Sequence, residues 1–209
     1  MITAEQRAQA INTRFDLRYT HELHGWLPPG FTEEGWNKKV PPRFRDARFD
    51  GSHPLEVMAW ADRLVTEMRK NGYLSESLYL YGETGSGKTH LAWAVLRRCW
   101  EEQLQFAHVN LFRLAELLRH DCPENLLGEA DRLYGCDVLL IDDLGSTQVS
   151  DWALGALYEL VNDRHSSVVP IITTSNLTPE ELAQSFDDRI ARRLLDGVGV
   201  LVPPRNGVS

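Results

Sequence analysis

GETGSGKT, residues 82–89, decides how this chain folds. Its spacing is G-x-x-x-x-G-K-[ST], and it lies between an apolar run, SLYLYG (77–82), and a segment, 88–101, whose Leu91, Ala92, Val95, Leu96 and Cys99 share one helical face. A polyphosphate needs backbone N–H groups that converge on it, and glycine lets the chain curl that tightly, here at Gly82, Gly85 and Gly87. The N-terminus of the following helix adds partial positive charge. Lys88 would reach the β- and γ-phosphates, and the Thr89 hydroxyl would ligate Mg²⁺. At average residue frequencies the pattern arises by accident in about one protein of this size in a hundred, and its strand-to-helix setting makes accident rarer. The expected nucleotide-binding set is therefore Gly82, Glu83, Thr84, Gly85, Ser86, Gly87, Lys88, Thr89 and His90.

Downstream, LLIDDLG (139–145) is an apolar strand ending in two acids, fifty-four residues after Lys88. Such a strand delivers carboxylates to the carboxyl edge of the sheet, where ligands of open α/β sheets bind. Asp142 would hold Mg²⁺, mostly through water, and Asp143 could orient or deprotonate an attacking water. A further buried strand, IITTSN (171–176), ends in Asn176. That side chain could contact the γ-phosphate or the lytic water; alternatively it begins the turn of SNLTPEE. In SFDDRIARRLLDG (185–197), Arg189 and Arg193 are four apart on one face, with Phe186, Ile190 and Leu194 on the other. A cation approaching the γ-phosphate from the far side can act in trans and is worth roughly 10³–10⁵ in rate. The competing reading is a surface helix paired with Asp187 and Asp188, contributing about 0–1 kcal/mol.

Around these motifs strands alternate with helices, which predicts a parallel sheet in a three-layer α/β/α sandwich. Pro54 opens a helix with Leu55, Met58, Ala61, Val65 and Met68 inward, stopped at Asn71-Gly72. FAHVN (106–110) reads as a strand, 111–120 and 124–134 as helices, 137–142 as a strand, 152–164 as a helix and 199–202 as a final strand. The prolines and glycines of residues 25–50 predict an irregular connector, with a boundary near residue 50. This gives an N-terminal helical extension, 1–50, and a core, 51–209. Within the extension Ala4, Ala8, Ile11, Phe15 and Tyr19 form one apolar helical stripe that packs on the core or docks on a partner.

The chain of 209 residues is 43% apolar with a net charge of −8, so a packed core is expected. The charge is uneven: residues 36–48 hold five basic side chains, Lys38, Lys39, Arg43, Arg45 and Arg48, against Asp46 alone. Such a strip can bind phosphate on an acidic protein, since distant acids are screened beyond about 8 Å; it can equally be a solvated linker. No run of about 18 apolar residues is present and the N-terminus lacks a signal-peptide core. The three cysteines, Cys99, Cys122 and Cys136, form no CxxC pair and His21/His24 lack neighbouring ligands. Reduced thiols in a cytoplasmic protein, without a zinc site or membrane anchor, are therefore expected.

The order of these motifs (phosphate loop, acidic strand, sensor asparagine, arginine-rich helix) resembles an AAA+ ATPase. PPRFRDARFDG, LYLYGETGSGKTHLA, DVLLIDDLG, LYELVNDRHSS, IITTSNLTPEEL and DDRIARRL together resemble the DnaC/IstB-like family of bacterial and phage helicase loaders and transposition helpers, over about residues 40–197. The resemblance implies ATP and Mg²⁺ as cofactors and carries the roles above onto Lys88, Thr89, Asp142, Asp143 and Asn176. It also places Arg193 at the family's arginine finger, supported by Arg189, so that both wait for the γ-phosphate of a neighbouring subunit's ATP. Glu83 stands where relatives often have proline. Asp143 replaces the glutamate of typical AAA+ ATPases, which implies slow hydrolysis and a switch. Only 14 residues follow Leu195, too few for a C-terminal helical lid, and Arg205 is the sole sensor-2 candidate.

The implied function is a loader that binds a replicative DnaB-type helicase through its N-terminal segment, self-associates with ATP and holds single-stranded DNA. Candidate DNA contacts are the basic strip, Phe112, Arg113 and Arg119, each of which also reads as ordinary surface. The first alternative is an IstB-like transposition helper acting on duplex DNA with a transposase. A second is a small-molecule kinase with Arg193 acting in cis.

Overall fold

The computed structural model describes residues 31–118, 123–146 and 150–204. The 4–19 stripe, Arg119, Cys122 and Arg205 lie outside the described residues.

Five strands, β1 (Ser77–Tyr81), β2 (Phe106–Asn110), β3 (Val138–Leu144), β4 (Ile171–Ser175) and β5 (Gly197–Leu201), form one parallel sheet in the order β2-β3-β4-β1-β5. Their side chains alternate between two cores, as strand geometry demands. Leu78, Leu80, Val138 and Leu140 face α1 (Glu33–Lys39), α2 (Leu55–Asn71) and α3 (Lys88–Glu101). Tyr79, Leu139 and Ile141 face α4 (Leu111–Leu117), α5 (Glu124–Gly135), α6 (Asp151–Ser166), α7 (Pro179–Ser185) and α8 (Asp188–Leu194). The expected three layers are thus present.

Three local expectations need correction. Residues 31–50 are not an irregular connector, because Thr32 caps α1 by accepting the Gly35 N–H at 3.0 Å and Trp36 is fully buried. Its indole sits against Trp93, Trp100 and Phe106 and donates to the Arg45 carbonyl at 2.9 Å, while Arg97 pairs with Glu33. Pro41 and Pro42 end this helix and start a 3₁₀ turn, Pro42–Phe44, rather than preventing helix formation. In α2 the inward residues are Val57, Trp60, Ala61, Leu64, Val65 and Met68, whereas Leu55, in the first turn, is 77% exposed. Finally, β3 runs two residues beyond its predicted end, through both acids, by means of a register shift between Ile141 and Leu144.

Candidate functional site

All five strands point the same way, so the loops after β1, β3 and β4 meet at one edge of the sheet. The strand order decides which loops are neighbours. β4 lies between β1 and β3, so Asn176, just past its end, sits between the glycine loop and the acidic pair.

The loop from Gly82 to Gly87 takes positive φ at Gly82 (142°), Gly85 (83°) and Gly87 (98°). A Cβ on Gly82 would stand 2.5 Å from the Val202 carbonyl oxygen, while Gly85 faces open space. Glu83, Thr84 and Gly85 are exposed, and Thr89 and His90 occupy the first turn of α3. No side chain caps the start of that helix. Ser86 is 2% exposed and its buried hydroxyl makes no hydrogen bond, an orphan that costs about 1–3 kcal/mol until an acceptor arrives. These features fit a bound polyphosphate.

Lys88 is turned into this loop. Its ammonium donates to the carbonyls of Gly82 (2.9 Å) and Glu83 (2.8 Å) and to Asn176 Oδ1 (2.9 Å). Burial pulls the Lys88 pKa below the ordinary lysine value, against the opposing pull of Asp143 and Asp142. Thr89 Oγ1 donates to Asp142 Oδ1 at 2.9 Å, bringing together the hydroxyl and carboxylate expected to share a cation. Hard oxygen donors of this kind suit Mg²⁺, which keeps several of its own waters. The backbone of Asp143 is left-handed, with φ 59°, and its residue is exposed at the rim.

Two residues here escaped the sequence reading. Thr174 is 1% exposed and its hydroxyl contacts both acids: it donates to Asp142 Oδ1 at 2.5 Å and accepts the Asp143 N–H at 2.9 Å. Tyr79 donates its hydroxyl to the Leu177 carbonyl at 2.8 Å, tying β1 to the turn after Asn176.

The arginines are elsewhere. Arg193 borders a small cavity with Ser75, Ser77, Val169 and Ile171, which mark the amino-terminal ends of β1 and β4. At ~3.3 Å per residue, five-residue strands put that edge more than about 13 Å from the glycine loop. Arg189 and Arg193 both lie over the Tyr158 ring, with guanidinium carbons 5.0 and 5.7 Å from its centroid. Arg189 also pairs with Asp187 at 3.1 Å, and Phe186, Ile190 and Leu194 are buried beneath. The kinase reading with Arg193 in cis does not fit this placement. Tyr158 lies within LYELVNDRHSS, but nothing in that phrase signals that its ring meets two arginines some thirty residues away.

Within the expected basic strip, several side chains have partners of their own, while Arg43 is exposed beside the Phe44 ring. Lys38 pairs with Glu34 at 2.6 Å and Arg48 with Glu33 at 3.4 Å. Lys39 lies 4.6 Å over the Phe106 ring, its pKa lowered by burial. Arg113 is held by Glu129 and Glu116, both at 2.7 Å. Among the candidate DNA contacts, Phe112 is 82% exposed. Among the described residues no helix is long and apolar enough to cross a membrane.

Comparison with known proteins agrees with this geometry. The model of the family described as IstB-like ATP binding protein matches residues 56–199. The phage-like element PBSX protein XkdC of Bacillus subtilis (strain 168) is 33% identical over 141 residues, 63% of this chain and 49% of the relative. The chain thus spans about half the length of that relative. The crystal structure of the DnaC helicase loader matches with a TM-score of 0.65 at 21% identity, covering 78% of this chain and 100% of the other. The replication initiator DnaA bound to AMPPCP and single-stranded DNA matches with a TM-score of 0.57 at 22% identity, over 87% and 52% of the two chains. At these identities the structural likeness establishes the α/β/α P-loop fold.

Proposed function

The chain belongs to the IstB-like ATP-binding protein family, and from that premise we propose that it is an ATP-controlled loader of a replicative DnaB-type helicase that also binds single-stranded DNA. ATP would drive side-by-side assembly and be hydrolysed slowly. The observation that carries this reading is the division of the machinery between two edges of one sheet: Lys88, Thr89, Asp142 and Asn176 at one, Arg193 at the other, with Arg189 sharing the Tyr158 ring with it. A domain divided in this way completes a hydrolytic site only against another copy or partner.

In the proposed mechanism Lys88 leaves the Gly82 and Glu83 carbonyls for the β- and γ-phosphates, and the N–H groups at the start of α3 bind the phosphate oxygens. Thr89 and Asp142 would hold Mg²⁺, which when bound neutralises phosphate charge. Asn176 would orient the attacking water or the γ-phosphate. Asp143 would take up the water proton; its side chain, one carbon shorter than glutamate, reaches less far and supports slow turnover. Arg193, steadied by Arg189, would meet the γ-phosphate of the adjoining copy. The apolar 4–19 stripe, Ala4 through Tyr19, is proposed as the helicase-docking surface, and the exposed Phe112 as a DNA contact.

The loader reading draws support from the likeness to the DnaC helicase loader. The description of the matched family favours a second reading, an IstB-like transposition helper acting on duplex DNA with a transposase. One experiment separates them: molar mass in Mg²⁺·ATP, with single-stranded or duplex DNA, and with or without a DnaB-type helicase. A loader assembles with ATP and single strands and co-elutes with the helicase. Assembly on duplex DNA alone, without helicase, would move the protein to the second reading, and a monomer throughout would overturn both.

A further inference from the structure

The two acids of LLIDDLG cannot be used together on a regular strand, where neighbouring side chains point to opposite faces. The structure resolves this conflict with a bulge. From Ile141 to Leu144 β3 advances three residues while its partner β4 advances two, from Thr173 to Ser175. The extra residue leaves the ladder without its usual partners, bends the strand, and leaves Asp143 left-handed at φ 59°. A bulged N–H at a buried strand needs another acceptor. The Thr174 hydroxyl is that acceptor, at 2.9 Å, and it spends its own proton on Asp142 Oδ1 at 2.5 Å. The Thr89 hydroxyl falls on the same Oδ1, at 2.9 Å. Both bonds therefore load one oxygen of Asp142.

We propose that Thr174 is the positioning residue of the acidic pair: its single hydroxyl holds Asp142 by one oxygen, presenting the other to a divalent cation, and fixes the backbone turn that aims Asp143. The assignment rests on the Mg²⁺·ATP reading for the cation, and on the bulge alone for the backbone. Thr174 acts through the two acids.

An internal control lies next to it. Thr173 is equally buried, at 0% exposure, yet its hydroxyl makes no hydrogen bond. Thr173→Val and Thr174→Val thus remove the same atom from adjacent residues of one strand, and only the second removes a contact to the acids.

Two readouts test the assignment. In nucleotide-free protein, hydrogen exchange of the Asp143 amide should accelerate about 2–13-fold in Thr174→Val, the loss of one hydrogen bond of ordinary strength. It should stay near wild type in Thr174→Ser and Thr173→Val. With a fluorescent ATP analogue, the Mg²⁺ concentration needed for half-maximal binding should rise about 10–100-fold in Thr174→Val, as for a residue that supports a metal ligand. Binding of the analogue without Mg²⁺ should be unchanged, and Thr174→Ser should restore the cation dependence. An Asp143 amide equally protected in Thr174→Val, or an unaltered Mg²⁺ requirement, overturns the proposal. A wild-type protein that binds the analogue without any Mg²⁺ dependence would instead overturn the cation reading, while the amide result still decides the backbone role. If Thr174→Val does not fold, Thr174→Ala gives the same two readouts.

Discussion

Lys88 donates to Asn176 Oδ1 at 2.9 Å, so the residue expected to bind phosphate and the residue expected to sense it are bonded to each other. A nucleotide must break this contact and the two loop-carbonyl contacts before the lysine can serve it. Asn176→Ala should therefore tighten ATP binding about 2–5-fold, the worth of one competing hydrogen bond, while hydrolysis falls tenfold or more. Lys88→Ala should abolish binding. Titration with a fluorescent nucleotide and a phosphate-release assay measure both; weaker binding in Asn176→Ala would contradict the competition.

The separation of Arg193 from the glycine loop calls for subunit mixing. Lys88→Ala supplies good arginines without nucleotide, and Arg193→Ala supplies nucleotide without the arginine. Each alone should be inactive, and a mixture should recover part of the wild-type ATPase. Absence of rescue at every ratio, with both variants folded, removes the intersubunit role.

Tyr158 offers a milder perturbation of the same edge. Both guanidiniums rest on its ring, contacts worth about 0.5–1 kcal/mol each at exposed sites. Tyr158→Leu should lower assembly-stimulated hydrolysis about 3–10-fold without changing nucleotide affinity, and Tyr158→Phe, which keeps the ring face, should retain most activity. Equal losses in both variants would show that the hydroxyl, not the ring, matters.

Two glycine substitutions should act in opposite directions. Gly82→Ala combines φ 142° with a Cβ 2.5 Å from the Val202 carbonyl oxygen, and should cost more than about 2 kcal/mol and weaken nucleotide binding. Gly155, inside α6, has open space around its Cβ position. Gly155→Ala should add about 0.5–1 kcal/mol, or some 1–4 °C in Tm. Thermal scans with and without nucleotide check both.

Tyr79 makes a pH-dependent contribution. Burial pushes its phenol up to about 12, so the fold prefers the protonated form. The stabilisation is complete below the ordinary tyrosine value near ~10 and is lost as pH rises from there to about 12. Tyr79→Phe should be about 1 kcal/mol less stable at pH 8, and the gap should shrink above pH 10. A gap independent of pH would mean that the phenol is not the cause.

The nucleotide loop, the helices around it and the parallel sheet were legible because they rest on local signals: glycine spacing, apolar periodicity and a buried run ending in acids. The connector is not legible in the sequence because Pro41 and Pro42 read as breakers, while the decisive contact, Trp36 against Trp93 and Trp100, joins residues far apart in sequence. The basic strip is visible as composition; the Lys38–Glu34 pair is local, four apart on one helix, whereas the Arg48–Glu33 pair forms only through the fold. Thr174 was hidden for a related reason. A threonine in a β-branched strand looks like ordinary propensity until the bulge on the neighbouring strand gives its hydroxyl two partners.

The placement of the nucleotide residues and Arg193 at opposite edges of the sheet also governs counting. With Arg193 acting across the interface as proposed, copies joined head to tail in an open row would possess one fewer complete hydrolytic centre than they have members, and the terminal copy would keep its nucleotide intact. A closed ring has no such end. Turnover per protomer, followed as the assembly lengthens, therefore reports its shape: rising gradually toward a plateau for an open filament, jumping at closure for a ring. On that proposal a solitary copy would hold its ATP in reserve, and meeting a neighbour would start its clock.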